Sequence, residues 1–179
     1  MNGLWLGMSD GFEKMHNLVE LHFGSAAFLW DAEPGASNFQ RNPIYATLHE
    51  SSYADGVATR WGAARTKPPE IEAQGYLAAE HMYPEMFQDY AGLREHAAAA
   101  QILADHQWPR LYDADQLRVN EVPVAASIYV NDVYVDRDFA RETAAAIRGL
   151  KAWETDEFEH NGLRADGERV FGTLFDLLH

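Results

Sequence analysis

Nine consecutive residues, Val122-Pro123-Val124-Ala125-Ala126-Ser127-Ile128-Tyr129-Val130, carry no charge and are mostly apolar. Such an unbroken run matches a strand buried on both faces. The residues after it narrow the choice of fold. Asp136–Leu150 reads as a helix, with Phe139, Ala144, Ile147 and Leu150 on one stripe and Gly149 near its end. Lys151-Ala152-Trp153-Glu154-Thr155 reads as a second strand, and Ala165–Leu178 as a closing helix with Val170, Phe171, Leu174 and Leu177 turned inward. A helical crossover of this length joins parallel strands and is right-handed in nearly all proteins. Residues 116–179 are therefore expected to form a small parallel β-α-β-α unit.

Residues 1–115 read as helical and irregular. Asp10 with Glu13 three positions later has the form of a capping box, and Phe12, Met15, Leu18, Val19 and Phe23 recur at helical spacing. Pro43 suits the first turn of a helix through Ile44, Tyr45 and Leu48. A helical stretch over Ala58–Ala64 is expected to stop at Pro68-Pro69. Leu93–His106, with its run of alanines, has the strongest intrinsic helix preference. Nothing before Val122 alternates with period 2, so no strand is expected there. The fold class is α/β, mainly helical.

Composition excludes several partners. The 179 residues hold 28 Asp and Glu against 14 Lys and Arg, a formal charge of −14. A surface this acidic repels phosphate backbones and anionic lipid, which argues against nucleic acid and membranes. Cysteine is absent, so no disulfide, thiol nucleophile or zinc-thiolate site is available. No apolar run approaches membrane-spanning length, and MNGLWLGMSDG lacks the basic start and apolar stretch of a signal peptide. A cytoplasmic protein without a cofactor is expected.

Reactive groups collect at the carboxyl ends of parallel strands. Asn131-Asp132-Val133-Tyr134 follows the first expected strand, and Glu157-Phe158-Glu159-His160 the second. An acid and a histidine thus emerge from one edge of neighbouring strands. A carboxylate on one ring nitrogen fixes the tautomer of an imidazole base and stabilises the imidazolium. A metal is the competing use, since Glu13/His16 and Glu157/His160 both have the Glu-x-x-His form. Carboxylate-bridged metal sites need that motif inside helices, and Asn161-Gly162 directly after His160 marks a loop, so no metal site is expected.

The segment VPVAASIYVNDVYVDRDFARETAAAIRGL followed by EFEHNGLRADG resembles the last third of α/β-hydrolases of the proline iminopeptidase (prolyl aminopeptidase) family. LGMSDGFEKMH, NPIYATLHESSYADGVATRW and EHMYPEMF likewise resemble the helical cap that these serine peptidases carry over their active site. The resemblance implies that Asp132 is the triad acid and His160 the general base. It also implies release of an N-terminal residue, preferably proline, from peptides. A free amino terminus needs a carboxylate partner and an apolar wall. Glu50 and Glu80 are the candidate carboxylates, with Tyr45, Tyr53, Trp61, Tyr83 and Phe87 available for the wall.

The resemblance also implies a departure. In α/β-hydrolases the triad order is Ser, Asp, His, and the Ser sits within G-x-S-x-G after a buried strand. Gly7-Met8-Ser9-Asp10-Gly11 matches those letters. Only six residues precede it, too few for a central strand, so Ser9 is read as a neighbour of a helix cap and not as the nucleophile. The chain is thus expected to hold the cap and the acid–base end but not the Ser. The alternative is a non-catalytic or truncated hydrolase-derived protein. Such a chain would self-associate as a homo-oligomer, or complement an N-terminal hydrolase chain, through its unpaired strand edge.

Overall fold

In the computed structural model, which describes residues 2–74 and 80–179, the first helices begin where polar groups meet free backbone N–H groups. Asp10 opens α1 (Gly11–Glu20), its carbonyl accepting from Lys14 N at 3.2 Å. Its carboxylate pairs with Lys14 Nζ at 2.6 Å, where the capping-box pattern assigned it to the helix backbone. That ammonium holds the Asp10 carboxyl below the usual range. Of the α1 stripe only Leu18 is buried, whereas Phe12, Val19 and Phe23 lie exposed. Ser25 Oγ accepts from Phe28 N at 3.1 Å and caps α2 (Ala26–Arg41). Asn42 ends α2 and caps α3 (Pro43–Leu48), whose first residue is the expected proline.

The chain divides into two units. The first comprises Met1–Gly3 and Leu18–Tyr112. Its core joins Phe39, Ala46, Met82, Phe87, Leu93 and Ala100, with Trp61 and Tyr90 packed at its margin. Each large apolar side chain buried there is worth about 1.5–3 kcal/mol. The stretch expected as a helix over Ala58–Ala64 is instead a tight bend before α4 (Gly62–Thr66), with Arg60 and Trp61 at φ 48 and 59°. Four contacts hold that left-handed pair. Arg60 N donates to Ala104 O at 2.9 Å, Arg65 reaches Thr59 O and Arg60 O, and Gly62 N donates to Glu50. Pro69 starts α5 (Pro69–Ala73), because proline is as suited to a first turn as to ending a helix. After α6 (Met86–Asp89), the Leu93–His106 expectation resolves into a 3-10 turn, Ala91–His96, and α7 (Ala97–Asp105). Gly92 N donates to Gln40 Oε1 at 3.2 Å, which draws that turn against α2.

The second unit comprises Leu4–Asn17 and Asp113–His179. It contains α8 (Ala114–Arg118), β1 (Val124–Tyr129), α9 (Arg137–Ala146), β2 (Leu150–Thr155), α10 (Gly162–Ala165) and α11 (Gly167–Leu178). The strands are parallel, in register from Val124 opposite Leu150 to Tyr129 opposite Thr155. No strand precedes Val124 among the described residues. Asp136 caps α9, accepting from Asp138 N and Phe139 N at 2.9 and 3.0 Å. Gly149, at φ 78°, makes the turn into β2. The expected closing helix is split at Asp166, whose side chain accepts from Arg169 N and restarts the chain as α11.

Burial departs from expectation in this unit. In β1 only Ile128 is buried, and its neighbours are half-exposed. Val170 is buried, but Phe171, expected to face inward, is 58% exposed, and Phe139 of the α9 stripe is 68% exposed. A pair of strands covered by α9 and α11 alone offers too little surface to bury every apolar residue of both helices. The described residues thus form a mostly helical chain with one small two-stranded parallel sheet. None of their helices is long and apolar enough to cross a membrane.

Candidate active site

Because β1 and β2 run parallel, the loops leaving them share one edge of the sheet. Val130 N donates to Thr155 O at 2.9 Å and carries the pairing one step past β1. The chain then turns, and Asp132 arrives with its side chain 6% exposed. Its Oδ1 accepts from Tyr134 N and Val135 N at 2.8 and 3.1 Å, which fixes the carboxylate in its loop. Its Oδ2 lies 2.9 Å from His160 Nδ1. A carboxylate only accepts, so Nδ1 carries the proton and Nε2 holds the free lone pair. His160 is 42% exposed, so this nitrogen belongs to a group that solvent and ligands reach. The two expected catalytic residues are therefore joined by a hydrogen bond.

The neighbours of the pair are chemically simple. The Tyr134 ring packs on the imidazole, centroids 4.8 Å apart. Ser127, Ile128, Tyr129, Asp132, Val135, Ala140 and His160 line an open pocket of about 190 Å³. Glu157, half of the Glu-x-x-His motif, is bound to Arg169 at 3.1 Å, and that guanidinium lies 5.7 Å over the Trp153 ring. Among the described residues no three His, Asp or Glu side chains converge as a metal site would require. Ser9 stands in the turn before α1, as its reading as a cap neighbour implies. Its Oγ donates to Asn161 Oδ1 at 2.8 Å.

The two candidate carboxylates of the first unit sit differently. Glu50 lies in the 3-10 turn His49–Tyr53 and is 1% exposed. Its Oε1 accepts from Gly62 N at 2.6 Å, while its buried Oε2 has no partner among the described residues. Glu80 is half-exposed and accepts from the Tyr45 hydroxyl. Both carboxylates act on Tyr53. Burial first, then the charges of Glu80 and Glu50, push its phenol above the usual range. Tyr53 Oη lies 3.3 Å from His49 Nε2, and burial with His49 nearby holds the His81 imidazole below its usual range. Tyr45, His49 and Tyr53 are stacked edge to face beside these acids. Of the remaining wall residues, Phe87 is core and Trp61 packs on it, with ring centroids 5.8 Å apart. Tyr83 carries Lys67 over its ring.

Tyr134 and Asn161 have no signal in the sequence pattern, since their partners near Leu4 and Ser9 lie 130 and 152 positions away. His49 and His81 were equally silent, although the aromatic residues around them mark the region.

Comparison with known proteins shows a similarity in sequence. No family model matches the chain. A proline iminopeptidase of Aeromonas sobria is 39% identical over 186 residues, covering 98% of this chain and 44% of the relative. The proline iminopeptidase aneH of Aspergillus aculeatus is 29% identical over 191 residues, covering 98% of this chain and 42% of the relative. The chain spans less than half the length of these curated relatives. It is homologous over nearly its whole length to proline iminopeptidases, consistent with a C-terminal portion of that family.

Proposed function

We propose that these 179 residues supply the acid and base of a serine aminopeptidase of the proline iminopeptidase type, comprising part of an α/β-hydrolase core and a helical cap-like region. The Asp132–His160 hydrogen bond at the shared edge of two parallel strands carries the reading. In the assembled site His160 Nε2 takes the proton of a serine hydroxyl as Oγ attacks the carbonyl of the N-terminal residue. The same proton passes to the leaving amine when the C–N bond breaks, and a water molecule then cleaves the acyl ester with His160 again as base. Asp132 keeps the imidazole in the useful tautomer throughout.

Glu50 and Glu80 are proposed to receive the free amino terminus. A buried carboxylate oxygen with no partner is a costly feature, and an ammonium would satisfy it. Ser9 is not proposed as the nucleophile, since its hydroxyl is bound to Asn161 and no strand leads into it. A fluorophosphonate, which labels activated serines, tests this part. Intact mass of the treated 179-residue chain is expected to show no adduct. A single adduct that disappears in His160→Ala would overturn the assignment of the serine to other residues. The cysteine-free composition suits the cytoplasm as the location.

One observation favours a second, compatible reading. Val135, Phe139, Leu163, Phe171 and Phe175 are all exposed on the second unit. This apolar surface is proposed to pack against further hydrolase core, from a complementing polypeptide or from a second copy of the chain.

A further inference from the structure

The motif that resembles a nucleophile elbow finds another use in the structure. His160 is anchored by more than its carboxylate. Its backbone N–H donates to Gly7 O at 3.1 Å. The next residue, Asn161, stands at the cap position of α10 but makes no side-chain bond to that helix. Its Oδ1 instead accepts two hydrogen bonds from Ser9, from N at 2.9 Å and from Oγ at 2.8 Å. The Tyr134 ring, which packs on the imidazole, donates its hydroxyl to Leu4 O. Gly7 lies against that ring so closely that a Cβ there would clash with it. Backbone and ring around His160 thus end on one short turn, Leu4 to Ser9.

The geometry points to this turn as a brace that positions the general base, with Ser9, Asn161 and Gly7 as positioning residues. An exposed imidazole on a loop has several rotamers and loop conformations within reach, and only one keeps Nδ1 on Asp132. The two bonds from Ser9 and the one that His160 N–H donates to Gly7 O remove the alternatives for the backbone, and the Tyr134 ring removes them for the side chain. The brace acts through Asp132–His160 and so rests on the proposed acid–base reading.

The Nδ1–H proton of His160 reports the geometry without requiring activity. In the 15N-labelled 179-residue chain its low-field resonance, assigned by its loss in His160→Gln, is expected to be protected from exchange with water. In Asn161→Ala its exchange is expected to be about thirtyfold faster, the effect of two lost hydrogen bonds on local opening. Ser9→Ala, which keeps the backbone donor, is expected to show a smaller increase, and it carries the test should Asn161→Ala fail to fold. Asp113→Ala removes a helix cap elsewhere in the same unit and is expected to leave the rate unchanged. Exchange unaltered in the two brace variants, or accelerated equally by Asp113→Ala, would overturn the brace while leaving the acid–base pair intact. Absence of any protected Nδ1–H in the unaltered chain would overturn both.

Discussion

Glu50 is the residue at which stability and the proposed recognition meet. Its Oε1 completes the left-handed bend at Arg60 and Trp61 by accepting from Gly62 N, and its Oε2 is buried without a partner among the described residues. Glu50→Ala leaves Gly62 N without its acceptor and is expected to lower unfolding free energy by about 1–3 kcal/mol in urea titrations. Glu50→Gln keeps an acceptor of the same shape and is expected to cost clearly less. If the second oxygen receives an amino terminus, both variants lose affinity for prolinamide alike, so the two measurements separate the roles. His81 sets a pH dependence in the same cluster. Its folded value is depressed by burial and by His49, so the unfolded chain takes up a proton near 6.5 before the folded one does. Stability is therefore expected to fall as pH drops below about 6.5, until the folded imidazole titrates as well. Thermal midpoints across that window are expected to vary less in His81→Gln than in the unaltered chain. The pairing of Asp132 with His160 was legible because strand order puts both at one edge. The orphan oxygen of Glu50 was not, because nothing in TLHESSY says which glutamate atom Gly62 will meet.

At the scale of elements, polar side chains cap the starts of α2, α3, α8, α9 and α11. Asp136 ends the loop that carries Asp132 and opens α9 with two hydrogen bonds. Asp136→Ala is expected to cost about 1 kcal/mol, read as a lower urea midpoint with an unchanged slope, and Asp136→Asn only a few tenths. Strand β1, the crossover helix and the Pro43 helix start were readable because each has a local signal: an uncharged run, an apolar stripe, a proline in the first turn. Helix α2 was not readable although Ser25 caps its start, since Pro34 and Gly35 interrupt its period. Ser9 shows the opposite failure. Its five-residue motif has the letters of an elbow, but the neighbouring elements give it a partner in Asn161 and no strand to stand on. Periodicity places Phe139 on an apolar stripe and Phe171 inward, yet it says which face is apolar and not whether anything covers it.

At the scale of the molecule, exposed apolar side chains on the second unit and a sheet of two strands fit a chain that matches less than half of each relative. Whether His160, oriented by Asp132, is the base of a proline-releasing enzyme can be decided in a hybrid. The aligned segment of the Aeromonas sobria proline iminopeptidase is exchanged for this chain, and kcat/KM is measured on a proline arylamide. Turnover by the hybrid is expected, with a fall of about 10³-fold or more in both His160→Ala and Asp132→Asn. Turnover in His160→Ala within about threefold of the unaltered hybrid would contradict the assignment.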